Sequence, residues 1–511
     1  MKRILLLSFC ISIYTFASAQ TYKWALSESY SQTNSSTDVS VDKNGNLYLL
    51  SSFNGAGQST APNGNVIAKY TKQGILIWAD TISSAMKMVS DSVGNIYLTG
   101  TFYKSITFGS NTLSSTDESG YLVKLNSNGE YVWGISISNS PCHNLCLNHA
   151  GDVYIIGKSN PTNQSQYGNI GMDKAFIAKY TNGGQLVWAK ESPNFTGDTP
   201  STPTNLCFDL NDNLYLTGNK FIAKINLEGN VVWSKDNAGN DLNIIVDSKM
   251  NAFVIGNFPE TISLSGQTYT NCLNCQSTFI QKYNESGEVL LTKVILGSKL
   301  VTSEDITIDL SGNIYIVGII FGSSDFGNQI VTSGNEATFQ GGQAFITKFD
   351  SNLKNVWIKN TQGIENVGSG ASGNTICIDE NNNNIYMAGS LSGPIKFDDI
   401  TISKGADAYN SIYISQLLYK VETATGIIEG QKNLNFIIYP NPSSGIFTIN
   451  FKNKTVETEI CIHDVLGNCV LNKVSVKNSN QEIDLSSQPK GIYFLEIVSD
   501  NERAVKKIVL Q

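Results

Sequence analysis

The chain has 511 residues, a formal net charge of −8 and only 15% charged residues. An acidic chain without a basic cluster is unsuited to nucleic acid or an anionic membrane surface, so neither is expected as a partner. Plentiful Gly, Ser, Thr and Asn, with 22 Tyr and 22 Phe, suit short strands joined by turns rather than helices.

The first residues have the parts of a secretory signal peptide: basic Lys2 and Arg3, an apolar run from Ile4 to Phe16, and Ala17-Ser18-Ala19. Cleavage before Gln20 is expected, making residues 1–19 the signal peptide and taking the charge from −8 to −10 by removing Lys2 and Arg3. Bulky Phe9 ahead of Cys10 argues against a lipoprotein site. No later segment offers the ~20 apolar residues of a membrane helix, so no transmembrane segment is expected. Of the nine cysteines, Cys10 leaves with the signal peptide, and an oxidising compartment permits disulfides among the rest.

A repeat then runs through most of the chain. Asp91-Ser-Val-Gly-Asn-Ile-Tyr97-Leu-Thr-Gly100 has relatives whose first position is Asp42, Asn148, Asp209, Asp247, Asp309 and Asp379. An aromatic follows six residues later (Tyr48, Tyr97, Tyr154, Tyr215, Phe253, Tyr315, with Tyr386 displaced by one), and Gly three further on in six copies. The second half of each unit resembles Phe176-Ile-Ala-Lys179 with Trp188 nine residues after the lysine. Its lysine recurs as Lys69, Lys124, Lys224, Lys282, Lys348 and Lys420; its tryptophan recurs as Trp78, Trp133, Trp233 and Trp357, with Leu291 once. The seventh copy has Glu429 in place of a tryptophan. The missing strand is at the other end of the chain, where Tyr22-Lys23-Trp24 reads like Leu186-Val187-Trp188 but no first half precedes it. Trp24 is therefore expected on a strand that completes the blade containing Lys420, closing a ring and leaving no open sheet edge.

Each unit reads as four strands, with D-x-x-G-N as one tight turn and an N-G or similar turn before the Trp strand. The fold class is all-β: a seven-bladed β-propeller of four-stranded blades over residues 20–430, followed by a small Ig-like β-sandwich over 431–511. The connections that vary in length gather on one face, where ligand binding is expected. The repeat resembles the seven-bladed propeller repeats of bacterial secreted proteins (SBBP-like repeats), a family without a shared activity. The last module opens with Tyr439-Pro440-Asn441-Pro442-Ser-Ser-Gly445, continues through Asp464-Val-Leu-Gly467 and Gly491-Ile-Tyr493, and ends on a strand with Lys506 and Lys507. It resembles the type A C-terminal sorting domain of type IX secretion. That resemblance implies the type IX secretion machinery as a partner, passage through the periplasm, and a secreted or outer-membrane surface-attached product.

Candidate chemistry is sparse. Cys142-His143-x-x-Cys146-x-x-His149 has metal-like spacing, yet Cys146 shares its repeat column with Cys207 and Cys377, so an inner-strand role is preferred. Cys272 and Cys275 suggest a local disulfide in a variable loop, and Cys461 and Cys469 flank a hairpin where a pair would need one particular register. The Asp turns lack the further carboxylates of a calcium loop, so capping is preferred. The recurring lysines are expected to pair with the Asp residues at the tight-turn face. No catalytic motif is present and no cofactor is expected; the K-x-x-x-x-G-x-x-x-W units resemble quinoprotein propellers, which carry a richer set of cofactor ligands.

Three functions stand: a non-catalytic binding or scaffold module for an extracellular glycan or protein, a carbohydrate-active hydrolase or lyase, and a structural surface-layer or matrix component. A clustered carboxylate pair in the ring mouth would favour the enzyme. The loops between second and third strands carry Tyr103, Phe108, Tyr167, Tyr269, Phe326, Phe339, Phe397 and Tyr409. Of these, Tyr103, Tyr167, Tyr269 and Tyr409 are the expected ligand-face aromatics, and Phe108 and Phe326 are expected to cover blade ends.

Overall fold

The computed structural model describes residues 21–29, 33–54, 64–163, 165–192, 202–218, 220–333, 341–364, 369–379, 381–405, 408–418, 436–451, 458–464, 469–476, 480–499 and 502–511. The signal peptide, Phe339, Lys420, Glu429 and Gly467 lie outside them. The chain divides into two compact units, Met1–Lys420 and Val421–Gln511. No helix among the described residues is long and apolar enough to cross a membrane.

The larger unit contains seven sheets in which four strands follow one another as antiparallel neighbours. The innermost strands are Thr33–Val41, Lys87–Ser90, Cys142–Leu147, Pro203–Phe208, Asn240–Val246, Leu300–Ile308 and Ala371–Asp379. Each of these meets the innermost strand of the next sheet, and the seventh meets the first. The sheets are thus blades around a channel, numbered here one to seven in chain order. The core lies between blades, where their apolar faces pack in clusters that span neighbouring sheets.

The turn Asp is a local device. In blade one, Asp42 Oδ1 accepts the N–H groups of Asn44 and Asn46 at 2.9 and 3.0 Å, and its Oδ2 accepts the Asn46 amide at 2.8 Å. Asp91, Asp209 and Asp247 repeat this pattern. A carboxylate filled by its own turn has the capping role, each bond contributing about 1 kcal/mol.

Blades grip one another through the Lys and Trp columns. Lysine Nζ lies 4.9–5.5 Å from the ring centre of its own blade's aromatic, as in Lys69 over Tyr48, Lys124 over Tyr97 and Lys348 over Tyr315. The ammonium then reaches the next blade's turn: Lys69 donates to Ser127 O at 2.8 Å and Lys282 to Ser351 O at 2.9 Å. Lys224 pairs with Asp209 at 3.2 Å in its own blade, while Lys179 uses Asp152 at 2.9 Å. Five of the tryptophans pack against the turn glycine of the following blade. Trp24, Trp78, Trp133, Trp188 and Trp233 stand 2.7–3.1 Å from where a Cβ would sit on Gly74, Gly129, Gly184, Gly229 and Gly287. Those glycines have φ between 77° and 82°, so both conformation and space require them. Where the outer strand has Leu291 instead, the next turn carries Leu353 at φ 59°.

The ring closes as the repeat predicts. Tyr22–Glu28 is the fourth strand of blade seven, outside Ser411–Leu418. Trp24 packs on Tyr386 with centroids 6.1 Å apart, matching Tyr315 and Trp357 at 6.1 Å, and its indole donates to Lys72 O in blade one at 3.2 Å. The seventh lysine, however, does not occupy the repeat column. In six blades the residue between the aromatic and the outer-strand position is the repeat lysine, facing Trp in five and Leu291 in blade five, as Lys348 faces Tyr315 and Trp357. In blade seven it is Gln416 that faces Tyr386 and Trp24, so Lys420 lies four residues beyond the column. Gln416 Nε2 donates to Lys72 O and to Tyr386 Oη, both at 3.2 Å, giving the same inter-blade contact without charge.

The smaller unit has two sheets, one of Phe436–Tyr439, Ile446–Phe451 and Asn480–Asp484, the other of Thr458–Asp464, Cys469–Val476, Gly491–Ser499 and Glu502–Leu510. Phe447, Ile449 and Ile483 from the first share one core with Ile460, Ile462, Leu495 and Ile508 from the second, which makes the unit a β-sandwich.

Deleting Thr21 to Tyr30 should remove the outer strand of blade seven and expose the sheet behind it. We expect a large fall in thermal midpoint, while Lys23→Ala in the same strand leaves it nearly unchanged; equal midpoints for truncated and intact protein would contradict the closure.

Candidate functional site

The glycine three residues after the repeat aromatic leads to the site. A Cβ on Gly318 would stand 1.9 Å from Thr302 O, on Gly389 1.7 Å from Ser372 O, and on Gly157 2.2 Å from Pro141 O. In each case the innermost strand approaches because it carries an extra residue there. The pairing shifts between Ser36 and Asp38, Cys142 and Asn144, Pro203 and Asn205, Asn240 and Asn243, Ser303 and Asp305, and Gly373 and Thr375. In blade two, Met86 N–H bonds Thr99 O although Lys87 is the residue paired with Thr99. Seven bulges thus stand at one level, and a bulge re-aims side chains at the rim of a sheet. The extra residues are Thr37, Met86, His143, Thr204, Glu304 and Asn374, and in blade five Asp241 and Leu242 together stand opposite Gly256.

Below them runs a polar belt four residues before each turn Asp: Asp38, Lys87, Asn144, Asn205, Asn243, Asp305 and Thr375. Members bond their own bulge and the neighbouring blade. Asn144 donates to Thr204 O at 2.9 Å, Asn243 donates to Asp305 Oδ1 at 2.9 Å, and Asp305 Oδ2 accepts Ile376 N–H at 3.0 Å. Asp38 Oδ2 accepts Met88 N–H at 3.0 Å, and its Oδ1 pairs with Lys87 Nζ at 3.1 Å. Burial acts to lower the Lys87 pKa, but Asp38 and Asp305 outweigh it and hold it above the ordinary lysine value. Burial likewise raises the Asp305 pKa, with Lys87 opposing. One cation therefore serves two carboxylates from blades one and six.

Above the belt, a cleft of about 540 Å³ opens among blades four, five and six. Thr204, Asn205, Gly218, Asn240, Asp241, Leu242, Asn243 and Glu304 line it. It lies where first strands begin and second strands end, on the face of the variable loops. Glu304 reaches the open side, yet protein packed around it pushes its carboxyl above the usual range; Thr302, donating to Oε1 at 2.9 Å, opposes this, while Asp241 and Asp305 add to it. Asp241 is at φ 51°, a left-handed conformation that Asp and Asn tolerate better than most residues.

The expected ligand-face aromatics do not converge on this cleft, since none of the four lines it. Tyr103 and Tyr409 are exposed, at 62% and 70%. Tyr269 is half-buried in a hairpin beside the blade-five core, its hydroxyl bonding Gln267 at 3.0 Å. Tyr167 corrects an expectation: it is buried, its hydroxyl 2.7 Å from that of Tyr180 and its ring 5.2 Å from Phe176. Loop residues 165–171 fold back over the blade, so Tyr167 fills core that sequence position alone could not reveal. Phe108, Phe326 and Phe397 are buried.

The metal-like spacing does not form a cluster. His143 sits in a bulge, whereas His149 lies in the tight turn beyond the other end of the strand and bonds Asp212 at 2.7 Å. Among the described residues no group of three or more His, Cys, Asp or Glu is disposed to hold a metal ion. Cys272 and Cys275 form a disulfide. Side chains of Asp464 and Cys469 lie outside the described residues.

In the sandwich, Asn441 ties the opening motif to the last strand. Its amide donates to Lys507 O at 2.8 Å, and its Oδ1 accepts Val509 N–H at 2.9 Å. Tyr439–Pro440 and Asn441–Pro442 are cis. A Cβ on Gly445 (φ 134°) would stand 2.6 Å from Ser486 Cα. Tyr493 is buried and donates to Pro489 O at 2.6 Å, while Lys506 and Lys507 are exposed.

Comparisons with known proteins fit this division. Residues 437–511 match the secretion system C-terminal sorting domain family. No curated protein matches the chain. Similar solved structures include a protein of unknown function from Bacteroides caccae (12% identity, TM-score 0.37, covering 61% of this chain and 93% of that one). The Neurospora crassa Pan2 WD40 domain is another (9%, 0.41, 74% and 88%). A third is PorZ, a surface component of the type IX secretion system of Porphyromonas gingivalis (11%, 0.27, 93% and 81%). These likenesses are remote, and the propeller assignment rests on the sheet order and the closed ring of inner strands. The C-terminal module is a type IX secretion sorting domain, and the protein is exported to the cell surface or beyond.

Two measurements check these assignments. Lys87→Met should destabilise the propeller by about 3 kcal/mol, because it strands buried carboxylates, with some discount for the 29% exposure of Lys87. Since the folded pKa of Lys87 is raised, its contribution is full at neutral pH and lost as pH climbs past the lysine range; denaturant titrations of the variant should lack that alkaline loss. Removing Asn433 to Gln511 should leave folded propeller in the periplasm, and normal surface or medium levels would refute the targeting role.

Proposed function

We propose that the protein is an exported, non-catalytic binding module whose ligand, an extracellular glycan, is held at the channel mouth on the loop face. One observation carries this reading: bulges in the innermost strands direct Thr204, Asp241 and Glu304 into an open polar cleft of about 540 Å³. Hydroxyl and amide groups with fixed carboxylates suit sugar hydroxyls, and a rigid ring supplies preorganisation. Tyr103 and Tyr409, exposed in loops of the same face, would add stacking surface for a longer ligand.

The second reading is a carbohydrate-active enzyme, favoured by Asp241 and Glu304 at the mouth and by the raised Glu304 carboxyl, the property of a general acid. A panel of oligosaccharides assayed for both retention and new reducing ends separates the two. Retention without products, abolished by Thr204→Trp, supports binding; products that vanish in Glu304→Gln would establish the enzyme instead.

A further inference from the structure

The cleft carries charge of one sign. Its lining includes Asp241 and Glu304 but no lysine, arginine or histidine. Lys87 is already engaged by Asp38 beneath the mouth, and among the described residues no ion pair reaches Asp241 or Glu304. The amides are also directional. Asn205 Oδ1 accepts Leu206 N–H at 2.9 Å, which turns its N–H₂ into the available group. Asn243 is used at both ends, accepting from Ile244 N–H and donating to Asp305. The lining therefore offers carboxylate acceptors on blades five and six, an amide donor on blade four and the Asn240 amide on blade five, with no cation among them. Such a set matches sugar hydroxyls, which both donate and accept, and opposes a ligand carboxylate or sulfate.

Resting on the glycan reading above, we infer that the mouth cleft takes a saccharide free of acidic groups and rejects uronates and sulfated sugars, Asp241 and Glu304 being the residues that set this selectivity. Like charges brought together in a partly desolvated cleft repel more strongly than in water, so the discrimination is large.

The test uses full-length secreted protein on an array of defined neutral, amino, uronic and sulfated oligosaccharides. Wild type, the Asp241→Asn/Glu304→Gln double variant and Thr204→Trp are compared, with thermal midpoints confirming that each is folded. We expect wild-type binding only to sugars without acidic groups, lost in Thr204→Trp. The double variant should raise the ratio of acidic to neutral oligosaccharide binding at least about tenfold over wild type, with neutral binding itself weakened because two acceptors of sugar hydroxyls are lost. Wild-type binding to uronates or sulfated sugars, or unchanged selectivity in the double variant, overturns the inference and leaves the glycan reading standing. Neutral binding that survives Thr204→Trp overturns the cleft as the site. No glycan binding at all overturns both.

Discussion

Most blades hold the next through a tryptophan laid on a glycine turn, beside a lysine that leans on its own blade's aromatic and in several blades reaches that turn, and the remaining architecture depends on this grip. The glycine must be at positive φ for the turn and must lack a Cβ for the indole to approach. The lysine gains a ring face of about 0.5–2 kcal/mol and a carbonyl acceptor from the same placement. Repetition then makes the contact cooperative around the circle. Trp24 matters because it supplies the one contact that chain connectivity cannot: its blade's first three strands end the propeller, and its own strand begins it.

With the outer grip fixed, the inner strands are free to depart from regular pairing. Glycine in the second strand admits the bulge, the aromatic of the third strand lies over that glycine, and the inserted residue is pushed toward the mouth. Blade one has Ser51 in place of this glycine and still bulges between Ser36 and Asp38, so the glycine eases the departure rather than causing it. The belt beneath bonds bulges of neighbouring blades, as Asn144 does Thr204 O and Asn243 does Glu304 O. Its charged members, Asp38, Lys87 and Asp305, gather where a lone carboxylate would be costly. The result is a collar with differing residues above it, and on the proposed reading the residues that bear the fold are not those that would meet a ligand.

The sorting module follows a different logic. Asn441 joins the opening motif to the final strand by two hydrogen bonds, so the sandwich is complete only when the last residues are in place. A tail truncated by a few residues loses those partners, which couples folding of the module to presence of an intact C-terminus.

Repetition makes the blades legible in the sequence: the Asp, aromatic, Gly, Lys and Trp columns recur because identical neighbours impose identical demands, and the orphan Trp24 strand announces the closure. The sorting motif was equally plain, because Tyr439 to Gly445 and the lysine-bearing final strand occur in order. Lys420 was misread because the seventh blade's tryptophan lies on the other end of the chain, leaving no spacing to anchor its partner; only pairing reveals Gln416. The belt escaped notice because its column reads Asp, Lys, Asn, Asn, Asn, Asp, Thr, alike in position and not in type. Tyr167 looked like a loop aromatic until its loop folded onto the blade. Sequence by itself determined the repeating contacts, which are local and identical from blade to blade. Tertiary structure alone decided the mouth, because Thr204, Asp241 and Glu304 come from three successive blades and meet only when those blades stack side by side.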